Sequence, residues 1–193
     1  INHNLEDTIS ERTQELRHQK DLMAEKNKEV MDSIHYAQRL QTAILPTTQY
    51  IHDNLRDSFV LFRPKDIVSG DFYWMTKVGN KVLIAAVDCT GHGVPGALVS
   101  IVGANGLNRC VKEFGLTKPA SILNQLREIV IETFNSATEE VKDGMDISLV
   151  SLTEKLNPIT NAKETLLQWA GANNPIWIIN PNRKSWPESM VVF

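Results

Sequence analysis

The sequence predicts an α+β fold preceded by a long helix, and three observations carry that prediction. Residues 1 to about 45 hold no glycine, reach their first proline only at Pro46, and are rich in Glu, Lys, Gln and Arg. All four are good helix formers. Two apolar runs, 72–78 and 81–87, flank Gly79-Asn80, which suits a two-residue hairpin turn. Helical spacing then takes over at 94–114 and from Pro119 onward, before short apolar runs return at 146–152, 165–172 and 175–181. Strands, two helices, then strands favour α+β over alternating βαβ units.

The elements follow in order. In the first, Ile9, Leu16, Met23, Val30, Ala37 and Ile44 recur every seven residues. That is one seam of a heptad repeat. The second seam is weaker, because Arg12, Gln19, Lys26 and Ser33 occupy its middle. A long helix is expected over 1–45, and its stripe needs a second copy or the following domain to cover it. Pro46 ends it, since proline cannot continue the hydrogen-bond ladder. "SFVLF" (58–62) reads as a buried strand, and the two runs around Gly79-Asn80 as a hairpin. In 94–114, Val94, Ala97, Leu98, Ile101 and Val102 form a broad apolar face, with Pro95 in the first turn. Gly103 and Gly106 weaken that helix in isolation, so close packing is expected to hold it. Ile122, Leu126, Ile129 and Val130 stripe the next helix. Residues 171–175 read as a turn between two antiparallel strands, and Trp74, Trp169 and Trp177 as core.

Composition narrows the function. The chain has 193 residues, 42% hydrophobic and 22% charged, with a formal charge of −3. That balance argues against a mainly electrostatic nucleic-acid or membrane binder. No apolar run approaches the roughly 20 residues of a membrane span, and no signal peptide opens the chain. The start at Ile1 reads as a piece of a longer protein. Cys89 and Cys110 make no zinc-type spacing; two reduced thiols in a cytoplasmic protein are expected.

The chemistry concentrates in 66–100. "GHGVPG" (91–96) meets a bare GxGxxG pattern, but Asp88-Cys89-Thr90 precedes it and no acidic residue follows at the dinucleotide spacing. The Gly-Lys-Ser/Thr ending of a nucleotide P-loop is also missing. Asp71 stands just before one hairpin strand and Asp88 just after the other. The hairpin brings those two positions to the same end. Paired carboxylates repel unless a proton or cation lies between them, and oxygen ligands favour hard cations such as Mg²⁺ or Mn²⁺. The same aspartates would also serve as turn or helix-capping residues.

"FRPKDIVSGDFYW" followed by "VLIAAVDCTGHGVPGALVSIVG" resembles the SpoIIE/RsbU branch of the PPM-type metal-dependent serine/threonine phosphatases. "GMDISLVSL" (144–152) and "WAGANNPIWII" (169–179) are similar to that family's later strands, and 1–45 to the helical linker that joins a sensor to such a domain. The resemblance implies a PPM-like sandwich of antiparallel sheets with flanking helices, incomplete at the C-terminus. It places a helical linker and probable coiled coil at 1–45 and the N-terminal portion of the phosphatase domain at 46–193. It also implies a pair of Mn²⁺ or Mg²⁺ ions that activate a water against phosphoserine or phosphothreonine. Carried over by position, Asp71 is the first acidic ligand, Asp88 bridges the metals, and Cys89 contributes its backbone carbonyl. Asp66, Gly91, His92 and Gly93 fall to phosphate or the surrounding shell, with the glycines making room for metal and phosphate.

The family's later S-D-G and D-D/N-x-T blocks, which supply two further aspartates, do not occur before Phe193. Asp143 and Asp146 lie near "DG" but read as structural. No residue matches the phosphate-binding arginine of other family members; Arg63 is the nearest candidate. Weak metal binding and little turnover are therefore expected of this chain alone. The implied partners are a phosphoprotein, possibly an anti-sigma-factor antagonist, a second copy joined through the N-terminal helix, and an upstream sensor. No nucleic acid is expected. The rival reading is a non-catalytic dimerisation and partner-binding module with an incomplete phosphatase fold.

Overall fold

The computed structural model describes residues 2–135 and 143–179. It divides into two compact units, Ile1–Leu40 and Gln41–Phe193. The expected long helix is present as α1 (Asn2–Ile44). Its good formers are helped by short ion pairs one turn apart, Arg12–Glu15 at 2.9 Å and Lys26–Glu29 at 2.8 Å. Both pairs are exposed, so each adds only a few tenths of a kcal/mol. Within the first unit the heptad stripe faces solvent: Ile9, Leu16, Met23 and Val30 are all more than half exposed. A short helix α2 (Thr48–Asn54) follows Pro46. Thr47 caps it, accepting from the Tyr50 N–H at 3.2 Å.

The second unit is built on one antiparallel sheet in the order β1-β2-β3-β4. The strands are β1 (Phe72–Val78), β2 (Lys81–Cys89), β3 (Met145–Leu156) and β4 (Lys163–Ala172). Val78 pairs with Lys81 across a two-residue turn in which Gly79 takes φ +58°, as the hairpin reading requires. Between β2 and β3 come α3 (Gly93–Lys112) and α4 (Pro119–Asn135). Alternation decides what each sheet face buries. Phe72, Trp74, Leu83, Ala85, Val87, Ile147 and Leu149 point to the helices and close the main core with Leu107, Ile122, Leu126 and Ile129. The glycines of α3 do let its neighbours close in. A Cβ on Gly106 would lie 2.5 Å from Leu126 Cδ1, and one on Gly103 would lie 3.0 Å from Met145 Cε. The helix therefore gains packing that offsets the propensity it loses at both positions.

The opposite sheet face is only partly covered. Ile51 packs there on Met75 and Val82, with Leu55, Tyr73, Ile84 and Leu152 around them. Two strands expected from the sequence are not formed. Residues 58–62 are irregular, with Phe59 89% and Leu61 74% exposed, and 175–179 are irregular as well. Residues 180–181 of the second run lie outside the described residues. Trp177, expected in the core, is 77% exposed. An apolar run becomes a strand only where a partner pairs its backbone, and neither run has one among the described residues. The turn at 171–175 accordingly ends in a single bridge, Ile147 to Asn173. One sheet of the expected sandwich is thus seen. Trp74 is buried as expected and Trp169 half-buried.

The two faces of α3 differ enough to test this packing. Leu107 is fully buried while Leu98 is 61% exposed. Leu107→Ala should cost about 2.5–5 kcal/mol in urea unfolding, and Leu98→Ala no more than about 0.5 kcal/mol.

Candidate metal and phosphate site

The site grows out of the open end of the β1–β2 hairpin. Phe72 pairs with Val87, so the next step along each strand sets Asp71 opposite Asp88. Both carboxylates are exposed, and they come within hydrogen-bonding reach of each other. Burial first, then the hydrogen bond to Asp88 and its charge, raises the Asp71 carboxyl above the ordinary carboxylate range. More than a third of Asp71 is open to water, so the burial contribution is that of a partly wet group. Asp88 also pairs in register with Asp146 on β3. Asp146 is held by Asn173, whose side-chain amide donates to it at 3.0 Å.

Glycine packing fixes the loop that carries Asp71 against the loop that follows β2 and Asp88. Gly70, Gly91 and Gly96 meet backbone to backbone. A Cβ on Gly70 would lie 2.6 Å from the Gly91 carbonyl oxygen, and one on Gly96 would lie 2.6 Å from the same atom and 3.0 Å from Gly70 Cα. The space that Gly70 and Gly96 leave is therefore filled by neighbouring backbone, so Gly96 makes no room for metal or phosphate. Gly91 and Gly93 further take φ of +85° and +62°, which non-glycine residues adopt only with strain. These turns swing the chain from β2 into the first turn of α3. Gly70 was not singled out from the sequence; the "SGD" triplet preceding a strand is the signal that marks it.

The remaining predicted residues fall close by. His92 Nδ1 lies 3.0 Å from Asp66 Oδ2, so Asp66 braces the glycine loop through His92. Asp66 Oδ2 would also be 3.8 Å from a Cβ at Gly93. The Cys89 thiol is buried and pushed up to about 12, by burial first and then by Asp71 and Asp88. It stays a neutral thiol at physiological pH, so its backbone carbonyl is the group it can offer a cation. Cys110, also buried and free, is pushed up to about 11. Thr90 ties the loop to the start of β3. Its N–H donates to the Gly144 carbonyl at 3.0 Å, and its hydroxyl donates to Asp143 at 3.0 Å and accepts from the Gly144 N–H at 3.1 Å. Asp143 thus helps tie the loop after β2 to the start of β3. Arg63 is exposed on the segment before Asp66. Among the described residues no group of three or more His, Cys, Asp or Glu side chains is arranged to hold a metal ion. Two carboxylates and a nearby carbonyl suit a hard cation but supply only part of its shell.

No protein-family model matches the sequence, and no curated protein matches it. Solved structures do. The SiaA-PP2C domain of Pseudomonas aeruginosa superposes with a TM-score of 0.58 at 34% identity, over 65% of this chain. The fold is that of the PPM-type phosphatases. The family resemblance drawn from the sequence is borne out at that level. The chain spans 49% of the SiaA-PP2C chain it matches. The α+β architecture of the PPM fold, with a long N-terminal helix, an antiparallel sheet and flanking helices, agrees with the expected fold class. No helix of the described residues is long and apolar enough to cross a membrane.

Two substitutions probe this geometry. Gly96→Ala would ordinarily gain roughly 1 kcal/mol of helix propensity. Here its Cβ meets fixed backbone, so a net loss of about 1–3 kcal/mol is expected in urea unfolding. Asp88→Asn removes a charge facing Asp71. Because the Asp71 carboxyl is raised in the folded state, its contribution to stability is fully present below its unfolded value and lost as pH rises through the folded one. The metal-free chain should therefore gain thermal stability as pH falls from 7 toward the upper carboxylate range. Asp88→Asn should raise the melting temperature at pH 7 by roughly 1–2 °C and flatten that pH dependence.

Proposed function

We propose that this chain is part of a metal-dependent protein serine/threonine phosphatase, the output domain of a signalling protein in the SpoIIE/RsbU branch of the PPM fold. The observation that carries the reading is the meeting of Asp71 and Asp88 at one end of the β1–β2 hairpin in that fold. A PP2C domain matches 65% of this chain, which supports phosphate-ester hydrolysis as the chemistry.

Mn²⁺ or Mg²⁺, as a pair in the complete domain, would supply Lewis acidity and a water ionised near neutral pH. Asp71 and Asp88 would hold the ions, with the Cys89 carbonyl beside them. The two carboxylates, whose proximity favours a proton, would give that proton up to hold a cation, so metal affinity would fall as pH is lowered. Asp66 orients His92 at the mouth of the glycine loop. From there His92 can donate a proton to a departing serine or threonine oxygen or bind the phosphate directly. Gly91 and Gly93 keep side chains away from that mouth. The two aspartates that the family draws from its later blocks would have to come from sequence outside this chain, which is why weak metal binding is expected of it alone.

The partners follow from the same reading. The substrate is a phosphoprotein, with a phosphorylated anti-sigma-factor antagonist as the branch's usual type. The exposed seven-residue stripe of α1 fits a second copy in a coiled coil. An upstream sensor would act through that helix on α3 and α4, and the domain would work in the cytoplasm. The absence of a three-ligand group among the described residues favours the alternative, a dimerising and partner-binding module without turnover.

Mn²⁺-dependent hydrolysis of a generic phosphomonoester separates the two. Activity is expected from a longer chain that continues past Phe193, with little from the 193 residues alone. In the longer chain Asp71→Asn and Asp88→Asn should each lower kcat at least about 100-fold. Absence of activity in every form, with Mn²⁺ and with Mg²⁺, would leave the binding module.

A further inference from the structure

Gln41 stands on the last turn of α1 and is 5% exposed. A buried amide is costly unless its groups are paired, and this one is paired on both sides. Its Nε2 donates to the Ser69 carbonyl at 2.5 Å and to Ser100 Oγ at 2.9 Å, while its Oε1 accepts from the Ser69 N–H at 3.0 Å. Ser100 is fully buried on α3 and spends its own proton on the Ala97 carbonyl at 2.7 Å, so its oxygen is left to accept from Gln41. One side chain thus joins the helix end, α3 and the loop before β1.

Gln41 satisfies both backbone groups of Ser69, as a neighbouring strand would. Ser69 in turn accepts from the Asp71 N–H through its own Oγ at 3.0 Å. Between them, Gly70 rests on Gly91 and Gly96 with no room for a Cβ. The segment Ser69–Gly70–Asp71 is therefore gripped from one side by an amide and from the other by the glycine loop. Only the amide belongs to α1.

We propose that Gln41 is a positioning residue for the metal site: its amide sets the Ser69–Gly70–Asp71 loop, and through that loop the Asp71 carboxylate against Asp88. The proposal deepens the phosphatase reading and rests on it where metal is concerned. The loop's order is tied to the angular setting of the last turn of α1. Turning that helix by one residue, about 100°, carries the amide off Ser69 and breaks all three bonds together. Any event that rotates this turn thereby reaches Asp71 without touching it.

The test uses the full 193-residue chain with Gln41→Met, which keeps the length of the side chain but none of its hydrogen bonds, and Ser100→Ala, a milder change that removes one acceptor. In metal-free protein, amide hydrogen exchange followed by NMR should rise about tenfold or more at Ser69 and Asp71 in Gln41→Met. The amides of Leu83 and Ala85 should keep wild-type rates, and Ser100→Ala should show a smaller rise at the same two sites. Calorimetric titration with Mn²⁺ should give an affinity at least about tenfold weaker in Gln41→Met than in wild type. Wild-type exchange at Ser69 and Asp71 in Gln41→Met, or a rise shared equally by Leu83 and Ala85, overturns the proposal. If Gln41→Met does not fold, Ser100→Ala decides it by the same comparison. If wild type takes up no Mn²⁺, the titration is repeated in the longer chain that continues past Phe193, where no uptake sinks the phosphatase reading; the metal-free exchange rates still decide whether Gln41 sets the loop.

Discussion

The site depends on three glycines that let backbone touch backbone. Gly70, Gly91 and Gly96 leave no space for a Cβ at Gly70 or Gly96, and this is what brings the loop before β1 onto the loop after β2. Without that approach Asp71 would sit on a loop free to part from Asp88, which β2 holds. Electrostatics pushes them apart, and packing holds them together. The raised Asp71 carboxyl records the conflict: two carboxylates held together favour a proton between them.

The same contact explains the position of α3. Its N-terminal residue His92 is extended and makes no side-chain capping bond, so the helix start is not held by the usual hydroxyl or carboxylate cap. It is held by Gly96 against Gly70 and by the helix's buried face, where Val99, Leu107 and Val111 join the core. Position is thus set by the sheet face behind the site, and the chemistry is left to the loop in front. His92 is free to turn outward to Asp66 because capping is not asked of it.

Much of this was legible in the sequence, for identifiable reasons. The β1–β2 hairpin is short, local and marked by Gly79-Asn80, so its pairing, and with it the juxtaposition of Asp71 and Asp88, follows from period and turn chemistry alone. The helices α3 and α4 announce themselves through apolar spacing and through Pro95 and Pro119. What misled was the reading of 58–62 and 175–179. Both runs have the composition of strands, but a strand is a property of a pair, and sequence shows only one member. Phe59, Leu61, Trp177 and Ile179 are consequently exposed where burial was expected. The short helix α2 went unread because seven residues offer too little periodicity to register.

Gln41 was hidden for a different reason. In the sequence it is one more glutamine in a helix full of them, beside Gln38 and amid Glu, Lys and Arg. Nothing in composition separates a glutamine that faces water from one that completes a loop. The distinction lies in what the side chain reaches: Gln41 bonds Ser69 and Ser100, while Ile44 and Leu45 beside it pack against the main core. A hydrophobic residue at position 41 would leave the Ser69 N–H and C=O without their partner, and apolar contact is indifferent to rotation by tens of degrees. An amide with three partners is not. Directionality is what a hydrogen bond adds to burial, and it turns the end of a helix from a plug into a setting for the loop that carries Asp71.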